Sequence, residues 1–304
     1  MPPPPAPPPP PGPTPEQKLQ VKRSMLEQFQ GGVIAVVYIS SHAKVAERVG
    51  ARGLIVSNLK RFEADNKMHI SAAAPSTVRE VLSTTVLPTF GRIRLGHTIE
   101  AKLMQACGVN GIDEHEGLAN TTNTMLPRDE FAIPFISGVT DVASAIKAIA
   151  AGATGLRTNC GITEDMPNIQ NTSKNLRTII SGCKELIAKL ATINESEYAT
   201  HADTKAHDAK VLKDMKKCKR LPVPLFADGG IVLPMDVAMM LSMGADAVIV
   251  SAQVFQAADP DRRLRSLVMA AKYFRDPVKL ATISEDTSGP AGAAFMNNQF
   301  TGYA

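Results

Sequence analysis

Residues 132–159 read AIPFISGVTDVASAIKAIAAGATGLRTN, and they decide the fold. Ala132–Gly138 is a short apolar run of the length of a buried strand. Asp141–Ala151 follows with a helical pattern, and the turn Gly152-Ala153 stops it. Gly155–Asn159 then opens a second short strand. A strand, a helix and another strand in so few residues make one repeat of a parallel β/α architecture.

The same alternation extends in both directions. Further strand-length runs are Val33–Ile39, Gly53–Asn58, Val86–Leu95, Gly111–Glu116, Val223–Asp228 and Ala247–Ser251. Helical stretches lie between them at Ser41–Val49, Pro75–Thr84, Thr98–Ala106, Pro234–Met243 and Asp261–Phe274, and turns such as Gly50-Ala51, Gly108-Val109 and Gly244-Ala245 stop several of these. Eight evenly spaced units in a chain of 304 residues argue for a single (β/α)8 barrel of the α/β class, which takes about 250 residues. A doubly wound open sheet fits the alternation less well, and no internal Pro/Ser/Gly-rich linker divides the chain. The longest insertion, Met166 to Leu221, follows the sixth run and is helical at Asn171–Thr192 and Lys205–Lys217, with an acidic capping-like stretch at Asn194–Glu197. A helix over Pro15–Gln30 precedes the first run, with proline near its start and Gly31-Gly32 after it. Residues 1–14 are expected to form a disordered proline-rich tail in extended polyproline II, or alternatively a ligand of the SH3 or profilin type. The barrel is expected over 15–287, and the Gly- and Ala-rich 288–304 as a flexible tail.

Composition narrows the function. The net charge of +4 is spread among both signs, there is no Trp and there are four Tyr, so the basic-plus-aromatic surface of a nucleic-acid binder is missing. The basic run Lys213 to Arg220 reads as a solvated helix end. Cys107, Cys160, Cys183 and Cys218 form no CxxC, and reduced thiols are expected. The six His form no metal-binding pattern, so neither a metal nor a cofactor is expected. No apolar stretch reaches a membrane span and no signal peptide is readable, so the expected location is the cytoplasm.

In such a barrel the chemistry sits at the carboxyl ends of the strands. Those ends are Ile39-Ser40, Asn58 to Arg61, Arg92 to His97, Asp113 to Glu116, Gly138, Arg157 to Cys160, Asp228 to Gly230 and Ser251 to Gln253. Gly229-Gly230 and Ser251 fall where backbone amides commonly hold a phosphate. Asp113, Glu114 and Glu116 are expected to face Arg92 and Arg94, either as a functional cluster or as a structural ring of ion pairs.

At these residues the chain resembles the PdxS/SNZ family, the synthase subunits of pyridoxal 5′-phosphate synthase. The resemblance is carried by Gly31-Gly32-Val33-Ile34, by Arg92-Ile93-Arg94-Leu95-Gly96-His97, by Ile112-Asp113-Glu114-His115-Glu116 and by Pro134-Phe135-Ile136-Ser137-Gly138. It continues through Gly152 to Thr158, Leu221-Pro222-Val223-Pro224, Gly229-Gly230-Ile231, Gly244-Ala245-Asp246, Phe255 to Arg265 and Tyr273 to Leu280. Order and spacing hold from about residue 16 to 290. The resemblance implies a β/α barrel assembled into dodecamers that receive ammonia from a glutaminase subunit. It implies synthesis of pyridoxal 5′-phosphate from ribose 5-phosphate, glyceraldehyde 3-phosphate and ammonia. Two lysines do this work by forming imines with the sugar, since an amine must attack the carbonyl.

The chain departs from that pattern where the chemistry lies. The family's aspartate in the first strand falls on Val36. Its lysine at the end of the third strand falls on Arg92, which stays protonated and cannot form an imine. Its lysine at the end of the sixth falls on Asn159. The glycine-rich loop that follows is replaced by Cys160 to Met166, where Glu164 and Asp165 put negative charge at a phosphate position. On the eighth strand the Gly-Ser pair falls on Ser251-Ala252, and the loop Glu63 to Ala74 after the second lacks the family's paired glycines. Asp113, Arg94, His97 and Arg157 match, and Gly230 remains from the phosphate-binding set. Lys60 is the one lysine at a strand end that could substitute.

Three functions compete. The first is a catalytically impaired subunit that regulates or scaffolds a vitamin B6 synthase ring, as a homo-oligomer or with a catalytic paralogue and a glutaminase. The second is an active synthase with relocated groups. The third is a barrel repurposed for another ligand or a structural complex.

Overall fold

The computed structural model describes residues 14–61, 68–115, 126–159 and 169–287. Helix α1 (Pro15–Glu27) starts at Thr14, whose hydroxyl accepts from the Gln17 amide while the Gln17 side chain accepts from the Thr14 amide. This capping box satisfies two amides that a helix start leaves unpaired. Thr14 therefore caps the helix. The rest of the expected tail and residues 288–304 lie outside the described residues.

The strands are β1 (Val33–Val37), β2 (Gly53–Val56), β3 (Asn58–Arg61), β4 (Met68–Ser71), β5 (Thr89–Arg94), β6 (Gly111–His115), β7 (Phe135–Val139), β8 (Gly155–Thr158), β9 (Leu225–Asp228) and β10 (Ala247–Val250). The helices after α1 are α2 (Ser40–Val49), α3 (Pro75–Thr84), α4 (Thr98–Cys107), α5 (Val142–Ala150), α6 (Ile169–Leu190), α7 (Ala209–Cys218), α8 (Pro234–Met243), α9 (Pro260–Tyr273) and α10 (Pro277–Thr287). Eight strands close a parallel barrel in the order β1-β10-β9-β8-β7-β6-β5-β2, so the (β/α)8 expectation holds. The seam closes where Ile34 lies opposite both Ile249 and Gly53. The insertion after β8 supplies α6 and α7, and the acidic stretch between them is a 3-10 turn over Glu195–Glu197.

One element was not expected. β3 and β4 pair antiparallel, with Lys60 opposite His69, as a hairpin beyond the barrel. Lys60 thus sits in that hairpin and not at the end of a barrel strand. None of the eight barrel strands contains a lysine.

Side chains alternate along each strand. Val33, Ala35 and Val37 join the outer core under the helices, whereas Ile34 and Val36 join the apolar cluster on the axis. At the amino end of the barrel, α1 inserts Leu26 and the turn that follows it inserts Phe29, both fully buried. The Phe29 ring meets Phe90 and Phe226 edge-on, with centroids 5.7 and 6.2 Å apart. Glycines make room for this plug. A Cβ on Gly53 would come within 2.5 Å of Phe29, one on Gly111 within 2.1 Å of Phe90, and one on Gly155 within 2.7 Å of Leu26. Alternating bulky and absent side chains fill the taper of the barrel.

Candidate functional site at the barrel mouth

The upper half of the axis divides in two. Strands β1, β2 and β10 line it with Val36, Ile55 and Ile249, against which Tyr38 and Phe255 pack. Strands β5, β6, β8 and β9 line it with charge. Val36 is buried in the apolar half, so the position where a family carboxylate is expected is a hydrocarbon wall.

The charged half is one network. Arg92 of β5 and Asp113 of β6 are register partners across the ladder. Arg92 Nε donates to Asp113 Oδ2 (2.5 Å), and Arg157 Nε of β8 donates to Asp113 Oδ1 (2.8 Å). A single carboxylate thus bridges two guanidiniums. A second, Asp228 of β9, takes Arg92 Nη2 at 3.3 Å and lies 3.6 Å from Arg157 Nη1. Arg157 Nη2 donates to the Glu114 carbonyl at 2.9 Å. Asp113 and Arg157 are wholly buried, and Arg92 and Asp228 nearly so. Charges in such a place persist only when paired. Burial opposes the charge of Asp113, but Arg92 and Arg157 outweigh it and hold the carboxyl far below its ordinary range. Burial likewise opposes the Arg92 charge, and Asp113 and then Asp228 outweigh it, raising its pKa. Beside this network His115 is pushed well below the usual imidazole value, by burial first and then by Arg157 and Arg92. It is a neutral ring at pH 7.

Of the expected cluster of Asp113, Glu114 and Glu116 against Arg92 and Arg94, Asp113 faces Arg92, whereas Glu114 turns away from both arginines. Alternation along β6 sends Asp113 to the axis and Glu114 to the outside. Glu114 instead takes Arg128 Nε at 2.9 Å and also Arg128 Nη2, which reaches Ser137 Oγ at 2.8 Å. Arg128 Nη1 donates to the Ala148 and Ala151 carbonyls, capping α5 with a cation. Arg94 pairs with Glu100 at the start of α4, through Nε at 2.7 Å and through its own amide at 2.9 Å. His97 completes that group, with Nε2 3.0 Å from Arg94 Nη2 and Nδ1 3.2 Å from the Glu100 amide. Arg94 and His97 therefore build the β5–α4 corner. Glu116 lies outside the described residues.

Asn159 follows β8; its amide donates to the Val139 carbonyl and its carbonyl accepts from Asn175 Nδ2. Cys160 to Met166 lie outside the described residues. Gly229 and Gly230 have φ of 112° and 67°, a turn that favours glycine. Thr172 of α6 donates to the carbonyls of Asp228 and Gly229, at 2.9 and 2.8 Å, and so ties that turn to α6. Ser251 caps a 3-10 turn over Ala252–Gln256, with Ser251 exposed and Ala252 buried. Cys107, Cys183 and Cys218 are free thiols. Among the described residues no three His, Cys, Asp or Glu gather as a metal site, and no helix is long and apolar enough to cross a membrane.

Reading the strand ends named Asp228 but gave it no role, and it missed Arg128. The register across β8, β9 and β10 aligns Asp228, and no local pattern carries it. A buried Arg in the segment before β7 leaves no signal beyond its type.

Chemically, the network offers, among the described residues, paired ions and no amine. The profile of the SOR/SNZ family matches residues 18–228, and that of the "Thiazole biosynthesis protein ThiG" matches 206–291. The chain is 33% identical over 275 residues to "Pyridoxal 5'-phosphate synthase subunit PdxS" of Dictyoglomus turgidum, covering 89% of this chain and 90% of that one. It is 32% identical over 274 residues to the protein so named in Thermotoga maritima, covering 89% and 91%. It is 34% identical over 271 residues to that of Bacillus cytotoxicus, covering 88% and 89%. With a closed eight-stranded barrel and a family profile spanning most of it, the chain belongs to the SOR/SNZ family.

Proposed function

We propose that this chain is a non-catalytic member of its family, a subunit that scaffolds or regulates a vitamin B6 synthase ring in the cytoplasm. The observation that carries the reading is the state of Arg92. At the position where an imine-forming lysine is expected stands a guanidinium that donates to Asp113 and Asp228. It cannot become a neutral nucleophile near pH 7. Val36 and Asn159, at the other two positions expected to act, offer neither carboxylate nor amine. Gly230, Ser251, Ala252, Arg94, His97 and Arg157 remain as remnants of substrate and phosphate binding. Its partners on this reading are further copies of itself, a lysine-bearing paralogue and the glutaminase.

Two measurements test it. Incubation with ribose 5-phosphate followed by borohydride reduction should leave the intact mass of the chain unchanged. A trapped pentose phosphate adduct, or pyridoxal 5′-phosphate formed by this chain with ammonium and glyceraldehyde 3-phosphate, would establish it as an active synthase instead. Native mass spectrometry of the chain from its own source should show a ring that contains a lysine-bearing paralogue. Homo-oligomers alone would sink the regulatory role.

A further inference from the structure

Two free thiols meet where the chain enters β9, apart from the charged network. Cys183 lies on the buried stripe of α6 with Ile179, Leu186 and Leu190, and Cys218 is the exposed last residue of α7. Cys218 Sγ donates to the Arg220 carbonyl at 3.0 Å, and the Leu221 amide, in the same peptide unit, hydrogen-bonds the Cys183 sulfur. One peptide thus has a thiol on each side, and both thiols bear on the Arg220 guanidinium. We propose that Cys183 and Cys218 form a site of reversible oxidation, at which a peroxide converts the two thiols into a disulfide that joins α6 to the end of α7.

The two thiols differ in the way this chemistry requires. Cys218 is open to solvent, so a peroxide reaches it first. Its thiolate attacks one oxygen of hydrogen peroxide, an S–O bond forms, the O–O bond breaks and hydroxide leaves, which makes a sulfenic acid. Cys183 is buried, and burial first and then Cys218 raise its pKa, so at rest it is a thiol shielded from direct attack. It then loses its proton and attacks the sulfenic sulfur. The S–S bond forms, and the oxygen leaves as water with that proton. In sum two thiols and one peroxide give one disulfide and two waters. The turn between the groups favours the closure. Lys219 has a φ of 57°, the one left-handed backbone of a non-glycine residue among the described residues. A lysine there is strained, so the last turn of α7 shifts at low cost as the sulfurs approach their bonding distance.

A link here acts on the barrel wall. Leu221 leads into β9 through Pro222-Val223-Pro224. Arg220 pairs with Asp246, and Asp246 takes the Leu225 amide at 2.8 Å. At the other end of β9, Thr172 of α6 already holds the carbonyls of Asp228 and Gly229. The disulfide fastens the entry to β9 as Thr172 fastens its exit, and it closes a loop over residues 183–218 that would otherwise add to the freedom of the unfolded chain.

The test uses the full chain as wild type, C183S and C218S, each fully reduced, exposed to hydrogen peroxide and then blocked with N-ethylmaleimide. Peptide mass spectrometry of the wild type should find the peptides of Cys183 and Cys218 joined and lighter by two hydrogens, and dithiothreitol should release them. The oxidised wild type should unfold at a midpoint at least about 3 °C above the reduced form. C183S should stop at a sulfenic acid on Cys218, trapped by dimedone, and C218S should leave Cys183 unmodified under the same exposure. Four results would each overturn the proposal: sulfinic acid on Cys218 of the wild type with Cys183 free, a link from either residue to Cys107 or Cys160, a Cys218–Cys218 link between two chains, or a Cys183–Cys218 link that leaves the midpoint unchanged. Should C183S fail a thermal-unfolding check, C183A serves the same comparison.

Discussion

Asp113 accepts from two guanidiniums at once, so its removal takes the nearer carboxylate from two buried cations rather than one. D113N should cost about 3–5 kcal/mol, the usual penalty for breaking a buried ion pair from one side. The midpoint of urea unfolding at pH 7 measures it. His115 gives the network a pH signature. Its folded pKa lies below the unfolded value, so the unfolded chain takes up a proton that the folded chain refuses. Stability should fall as pH drops below about 6.5, by up to about 1.4 kcal/mol per unit. Asp113, also depressed, loses its contribution only below about pH 4, as its unfolded value is passed. Unfolding free energies of wild type and H115Q between pH 7.5 and 5 should diverge in slope; parallel curves would exclude His115 as the source. Arg92 and Asp113 were legible in the sequence as strand-end residues. Their partnership with Asp228 was not, because Arg92 and Asp228 lie 136 residues apart and meet only through barrel closure.

At the scale of elements, α1 acts as a stopper whose fit depends on missing side chains. F29A should destabilise the fold by about 3–5 kcal/mol through the cavity it leaves beneath Phe90 and Phe226. G111A tests the same packing from the other side. Its added methyl would sit 2.1 Å from Phe90, and overpacking of this kind costs about 1–3 kcal/mol. Thermal unfolding of both variants checks the pair, and an unchanged midpoint for G111A would mean that the ring relaxes freely. All eight barrel strands and most helices were readable, since short apolar runs and glycine stops punctuate each unit. The β3–β4 hairpin was not. Asn58–Arg61 follows β2 after Ser57 alone and is largely polar, so it reads as a loop until its partner is seen. Period-two alternation in β6 was likewise available, and applying it to Asp113 and Glu114 would have separated the two carboxylates in advance.

For the whole molecule, the buried ion-pair network spans β5, β6, β8 and β9, and closure of the ring joins β1 to β10. During synthesis Arg92, Asp113 and Arg157 emerge well before Asp228, so a partly made barrel lacks one of the two carboxylates that both arginines face. The first strand also waits for the last, since Ile34 pairs with Ile249 and the Gly31 amide donates to the Asp246 carbonyl. Such long-range pairing slows folding and leaves sheet edges open meanwhile. The nascent chain is thus committed to remain unfinished until nearly its whole length has been translated, and a product truncated before β9 would lack both a carboxylate of the axial network and the strand that seals the wall.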